Sequence, residues 1–121
     1  MTTYHPDLAA GRWFTFSLAA QLGNVGSEYE RALNWKERGD KERFEPAFGR
    51  LLELLDLTIS DPRWKNHRLK ELTRLRECIC DELYNEASEF IHPSDLRPYF
   101  LYFGILARSE RDKMVEAVGV S

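Results

Sequence analysis

An amphipathic segment that contains glycines, from Trp13 to Gly39, constrains the fold of this chain more than any other stretch. At about 100° per residue, its apolar side chains share one face of a helix. They are Phe14, Leu18, Leu22, Val25, Tyr29, Ala32 and Leu33. Gly23 and Gly26 lie along one flank of that face, and each should cost a helix about 1 kcal/mol relative to alanine. Packing must offset this cost, so we predict that a neighbouring helix comes close at these glycines.

Three more segments carry apolar residues at helical spacing, over about 41–60, 68–86 and 95–108. The Gly39-Asp40 pair is typical of a tight turn between two helices, because glycine ends a helix and aspartate caps the next one. Four amphipathic helices with short connections can bury their apolar faces only against one another. The sequence therefore predicts an all-α protein, an antiparallel four-helix bundle with up-down-up-down topology.

The chain length of 121 residues suits one domain, 1–121. Residues 1–11 lack periodicity and are predicted to be a loose lead-in. Residues 109–121 alternate charged and small apolar residues, and this C-terminal tail is expected either to extend the last helix or to fray.

Composition indicates a globular chain, with 43% hydrophobic and 31% charged residues. The formal net charge of -3 argues against a protein coated in basic charge but leaves room for a local basic patch. No apolar run approaches the roughly 20 residues of a membrane span, and the N-terminus does not resemble a signal peptide. Cys78 and Cys80 would point about 160° apart on a helix and cannot bond to each other. These features predict a cytoplasmic protein without membrane partners.

Three stretches together carry a family resemblance: FSLAAQLGNVGSEYERALNWKERG, LLELLDLTISDPRW and RLKELTRLRECICDEL. From about Trp13 to Arg108 the chain resembles a family of short uncharacterised prokaryotic proteins. The resemblance implies no catalytic residue, because that family has no assigned activity. In architecture alone, the predicted bundle is also similar to the four-helix bundles encoded by ribosomal RNA intervening sequences, and such a similarity of fold does not give a function.

A buried polar network is predicted around Arg76, which falls inside the apolar stripe of the third helix. A guanidinium in a bundle core needs an anion and further hydrogen-bond partners. Glu28 and Asp56 border apolar stripes on the first two helices, and Gln21 or Asn24 could join the network. We favour a structural role in fixing helix register over a ligand site. The alternative is that Arg76 extends to the surface from the edge of its helix.

A basic cluster lies between the second and third predicted helices. Its possible nucleic-acid-binding residues are Arg63, Trp64, Lys65, Arg68, Lys70 and Arg74. Cations beside an aromatic ring can bind a phosphate backbone and stack a base, which suggests RNA as a partner. The alternative is a solvated helix face, since Glu77 and Asp81 can form ion pairs with Lys70 and Arg74. We favour this alternative because the whole chain is acidic.

Several large apolar residues fall outside the predicted apolar faces. They are Trp13, Phe16, Trp35, Leu57, Trp64 and Tyr102. One thin core cannot cover them all, so a homo-oligomer or partner surface is expected, with Leu57 and Tyr102 as the clearest candidates.

No catalytic residue, cofactor or metal is predicted. A di-metal bundle uses Glu-x-x-His motifs on two helices, whereas His5, His67 and His92 all lie near a turn or terminus. Nucleophile motifs and glycine-rich phosphate loops are also missing. We therefore expect a non-enzymatic interaction protein, first a self-associating scaffold or adaptor and second an RNA-binding accessory protein. A bundle that binds a small ligand along the polar strip of the first helix is a third possibility.

Overall fold

The computed structural model describes residues 4–84 and 93–119, except for the side chains of 93–95 and 116–119. A short helix α1 (Pro6–Ala9) and a 3-10 turn (Arg12–Thr15) precede four long helices. These are α2 (Leu18–Glu37), α3 (Lys41–Ile59), α4 (His67–Leu83) and α5 (Pro93–Gly119). The described part of the chain contains no β-strand. The loop predicted around His92 falls mostly on residues outside this description.

Helix α2 is the centre of the bundle, because it packs extensively against both α3 and α5. Both neighbours are antiparallel to α2. Glu28 of α2 lies opposite Arg50 of α3, and Gly26 of α2 lies opposite Phe100 of α5. Helix α4 packs on α3 and runs parallel to α2. The prediction of an all-α four-helix bundle is confirmed.

Local signals set the ends of the helices. The Ser17 hydroxyl accepts a hydrogen bond from the Ala20 N–H at 3.1 Å, and Asp40 caps α3 through the Arg43 N–H at 3.1 Å. Gly39 adopts a φ of 72°, which favours glycine at the end of α2. Because Ser17 caps α2, the helix begins at Leu18, five residues later than the predicted start at Trp13. Trp13 instead belongs to the 3-10 turn and is fully buried, so it is core and not part of an exposed surface.

The core is formed by the predicted apolar faces of the long helices. Its most deeply buried members are Leu22, Val25, Tyr29, Ala32, Ala47, Leu51, Leu55, Leu72 and Ile79. Aromatic residues of α5 close the core against α2, and the rings of Tyr29 and Phe100 lie 5.1 Å apart. Burial of these apolar side chains supplies the main driving force for the fold.

The prediction of a loose lead-in is wrong for residues 4–11. The N–H groups of Tyr4 and His5 donate to the Glu53 carboxylate at 2.8 and 2.6 Å, and His5 Nδ1 lies 3.0 Å from the same group. The Tyr4 ring also lies over Gly49 of α3. Helix α3 thus holds the N-terminal segment in place. At the other end, α5 continues to Gly119, so the C-terminal tail extends the helix as one alternative proposed.

Candidate functional site

A buried polar cluster closes the end of the bundle where α2 begins and α3 ends. Gln21 donates from Nε2 to the Trp13 carbonyl at 3.0 Å and to Asp61 Oδ2 at 2.9 Å. Its Oε1 accepts from the Trp64 indole at 2.8 Å. The Trp13 indole donates to Thr58 Oγ1 at 3.0 Å. We call these residues and Arg63 the end cluster; its groups satisfy one another, as buried polar groups must.

Asp61 is the charged centre of the end cluster. It is almost fully buried, and it accepts hydrogen bonds from the Arg63 N–H at 3.0 Å and from Arg63 Nη2 at 2.7 Å. The hydrogen bonds from the Arg63 side chain lower the pKa of Asp61 to about 2, against burial, which alone would raise it. Arg63 also donates to the Phe16 carbonyl. The cluster therefore joins the segment before α2 to the loop between α3 and α4, and it holds Asp61 as an anion.

The predicted network around Arg76 is not a buried network. Arg76 Nε donates to Asp56 Oδ1 at 2.7 Å, so the predicted pairing of Arg76 with Asp56 is present. However, 37% of the Arg76 side chain and 57% of the Asp56 side chain are exposed. Arg76 lies at the edge of the α4 stripe, and its long side chain reaches the surface between α3 and α4. The pair is a surface ion pair, which corrects the expected core position.

The other three residues of the predicted network lie in separate places. Gln21 is in the end cluster. Glu28 is buried and pairs with Arg31 at 3.0 Å and Arg50 at 3.3 Å. Asn24 is exposed and donates to the carbonyl of Ala20 in its own helix. Of the predicted network of Arg76 with Glu28 or Asp56, joined by Gln21 or Asn24, only the Arg76–Asp56 pair forms. The helical angles gave the faces of these residues but not their neighbours.

Arg76→Met is expected to lower the free energy of unfolding by no more than about 1 kcal/mol, because exposed ion pairs contribute little. The measurement is urea unfolding of the variant and the wild-type protein under identical conditions. A loss of several kcal/mol would mean that the Arg76 guanidinium is buried and that the surface position is wrong.

The basic cluster is divided between residues that belong to the end cluster and residues outside it, and Arg63 is exposed although it binds the buried Asp61. Arg63 and Trp64 belong to the end cluster, and the Arg63 guanidinium lies over the Trp64 ring at 4.6 Å from its centroid. Arg68 pairs with Glu71 at 2.9 Å. Lys65, Lys70 and Arg74 are exposed. Since the Trp64 indole N–H points inward and one ring face is covered, the stacking role predicted for Trp64 loses support. RNA binding by the remaining cations stays a prediction.

Helix α5 presents an exposed apolar surface on the side opposite the core. Leu101, Tyr102 and Ile105 are 64%, 61% and 61% exposed, and Leu106 borders them. We call these four residues the outer α5 face. Tyr102 lies on it as expected for an oligomer surface, whereas Leu57 is partly buried against the core. Sequence reasoning missed Leu101 and Ile105, although the run PYFLYFGIL is apolar on every side of a helix.

A groove of about 640 Å³ lies between α2 and α5 and is relevant to the predicted small-ligand site. Ser17 and Asn24 from the polar strip of α2 (Ser17, Gln21, Asn24, Glu28 and Arg31) line it beside Gly23 and Gly104. Asn24 also lines a second cleft, of about 530 Å³ under the N-terminal segment, together with Glu28 and Arg31. Gln21 alone of the strip lines neither cleft, and ligand binding along the strip stays a prediction.

Burial shifts the pKa of several reactive groups in the described residues. Burial raises the pKa of both Cys78 and Cys80, which disfavours a nucleophilic thiolate. The Tyr29 hydroxyl donates to Glu82 Oε1 at 2.6 Å, and burial raises the pKa of Tyr29 further above its usual value. Within residues 4–84 and 93–119, no three His, Cys, Asp or Glu side chains are grouped so that they could hold a metal ion.

The helices described here, from α1 to α5, include none with the length and apolar character needed to cross a membrane. Comparison with known proteins identifies no relative: no protein-family model, curated protein or solved structure matches this chain. The family resemblance noted in the sequence therefore stays a prediction, and the function has to be argued from the surfaces of the protein itself.

Proposed function

We propose that this protein is a non-enzymatic helical bundle, a scaffold or adaptor, which self-associates through the outer α5 face. The observation that carries the proposal is the exposure of Leu101, Tyr102 and Ile105, each more than half accessible on consecutive turns of one helix. Scattered exposed apolar residues are normal, but a contiguous group of them is typical of an interaction surface.

The two sides of α5 together strengthen this proposal. Phe100, Phe103 and Ala107 are buried against the rest of the bundle. The outer α5 face is apolar as well, so apolar residues surround this part of the helix. Helices that are apolar on all sides are normally buried on all sides. We therefore expect the outer α5 face to be covered in the functional state of the protein.

The polar groups of the end cluster bind one another, and this also favours interaction over catalysis. Asp61, Gln21 and Arg63 bind one another in the end cluster, and the described cysteines are disfavoured as thiolates. Catalytic groups normally lie in a cleft where they can reach a substrate. The polar groups of the end cluster instead contribute to stability.

Ile105→Lys is expected to shift the protein from an oligomer to a monomer, because a charged side chain in the centre of an apolar interface would be desolvated without a partner. Light scattering coupled to size-exclusion chromatography measures the mass over a range of protein concentrations. The matched control is Val115→Lys, since Val115 is on the same helix and is equally exposed but lies beyond the outer α5 face. A wild-type protein that is monomeric at every concentration would contradict the proposal, as would equal effects of the two substitutions.

A further inference from the structure

We infer that the partner on the outer α5 face is a second copy of this chain, whose α5 helix crosses the first one in antiparallel orientation next to Gly104. This inference rests on the proposed self-association and specifies its geometry. Three features of α5 carry it: a glycine whose missing side chain faces open space although its Cα lies close to Gly23 of α2, an apolar stripe beside it, and the order of the charges along that stripe.

Gly104 is the first feature. It lies in the interior of a helix of 27 residues, where glycine costs about 1 kcal/mol relative to alanine. A Cβ atom built on Gly104 meets nothing within 4 Å, so no close neighbour within the chain requires glycine there. At Gly26, in contrast, a Cβ atom would come within 2.7 Å of Phe100. A glycine whose missing side chain faces open space is explained if the backbone of another molecule approaches at that point.

The apolar stripe is the second feature. Leu101, Gly104, Ile105 and Arg108 follow one another at spacings of three or four residues and share one side of α5. Leu101 and Ile105 are both largely exposed. Two copies of such a stripe can pack side by side, with Gly104 as the point where the helices come closest. A symmetric dimer uses the same surface on both chains, so a stripe of this kind can be complementary to itself.

Charge order is the third feature, and it selects the orientation. Arg97 precedes the stripe and Asp112 follows it, and both are exposed. If a two-fold axis lies between positions 104 and 105, Arg97 of one copy comes opposite Asp112 of the other, and Leu101 comes opposite the aliphatic stem of Arg108. A parallel pair would instead place each Arg97 and each Asp112 beside its own like charge. Opposite charges at the edges of a helix pair favour the arrangement that joins them, as in coiled coils.

Arg97 is suited to this role because it is already oriented within its own chain. Its Nε donates to Glu30 Oε1 at 3.0 Å, and its side chain remains half-exposed. The side chain therefore loses less freedom on association than a mobile arginine would. A single exposed ion pair contributes only about 0.2–1 kcal/mol, so these charges select the orientation while the apolar stripe supplies most of the affinity.

Cysteine cross-linking tests this geometry in the full chain with Cys78→Ser and Cys80→Ser already introduced. Ile105→Cys is expected to give a disulfide-linked dimer under mild oxidation, because the two copies of position 105 meet near the axis and the substitution leaves Gly104 unchanged. Asp112→Cys should stay unlinked, because its two copies would lie about 22 Å apart along the helices at the helical rise of about 1.5 Å per residue. Both substitutions are at accessible positions, and non-reducing electrophoresis measures the linked fraction.

Each other outcome has a defined meaning when the mass is measured in parallel by light scattering. Cross-linking through position 112, with or without position 105, overturns the antiparallel crossing but leaves self-association standing. A dimeric mass without any cross-link at position 105 places the interface elsewhere and overturns the inference alone. A monomeric mass without cross-links overturns both the inference and the proposed function, and the outer α5 face would then be left for a different protein.

Discussion

Asp61→Ala is expected to lower the free energy of unfolding by about 2 kcal/mol, because it removes one acceptor of the buried Gln21 amide and the anion that binds Arg63. Gln21 Nε2 would lose its hydrogen bond to Asp61, and the Arg63 guanidinium would lose its anion. The matched control is Asp56→Ala. Asp56 also binds an arginine, but at an exposed position, so its loss should cost no more than about 1 kcal/mol. Urea unfolding measures both values, and equal losses would contradict a special role for the end cluster.

The same carboxyl group should make stability depend on pH. The pKa of Asp61 falls from an ordinary 3.8 to about 2 in the folded protein, so the unfolded state binds the proton more readily. The resulting stabilisation is complete above the ordinary pKa and is lost as the pH falls through about 2. Its size is roughly 2 kcal/mol, since one pKa unit corresponds to about 1.4 kcal/mol. Asp61→Asn should lower stability at neutral pH and remove this part of the acid dependence, which urea unfolding at a series of pH values measures.

The end cluster also shows where sequence reasoning stops. Hydrophobic periodicity was sufficient to predict four helices and most of their buried faces, because burial of a face imposes a period on the sequence. Gln21 was correctly expected to be buried and polar. Its partner Asp61, however, reads as an ordinary turn residue before Pro62, and Trp64 reads as an exposed ring beside cations. Hydrogen bonds between segments about forty residues apart leave no local pattern, so the cluster could not be predicted.

Helical angles also fail in two identifiable ways. The helical angle of Arg76 places it in an apolar stripe, yet its side chain is long enough for the guanidinium to leave the core. The helical angle gives the direction of the Cβ atom and not the position of the end of a long side chain. On α5, apolar residues occur at every angle, so the helical angles place Phe103 on the buried side but do not show that the apolar Ile105 is exposed. Both cases require the position of the neighbouring helix.

The close approach predicted at Gly23 and Gly26 leads to a second large effect. Both glycines face α5, but the space beside them differs. A Cβ atom on Gly26 would lie 2.7 Å from Phe100 Cβ and 3.0 Å from its Cγ, and these atoms are fixed by the backbone of α5. A Cβ atom on Gly23 would find its nearest neighbour, the Cα of Gly104, at 3.5 Å, which is ordinary van der Waals contact. The same substitution should therefore have opposite signs at the two positions.

Gly26→Ala is expected to destabilise the protein by about 2 kcal/mol, because α5 must move away from α2 and the cost of overpacking exceeds the gain in helix propensity. Gly23→Ala should instead stabilise it by up to about 1 kcal/mol, since the methyl group fits and alanine favours the helix. Thermal and urea unfolding of the two variants provide the measurement, and each variant is the control for the other. If both variants were more stable than the wild-type protein, α5 would lie farther from α2 than described. If both were less stable, a Cβ atom on Gly23 would lie closer than 3.5 Å to the Cα of Gly104. Helices α2 and α5 would then be closer together at Gly104 than described.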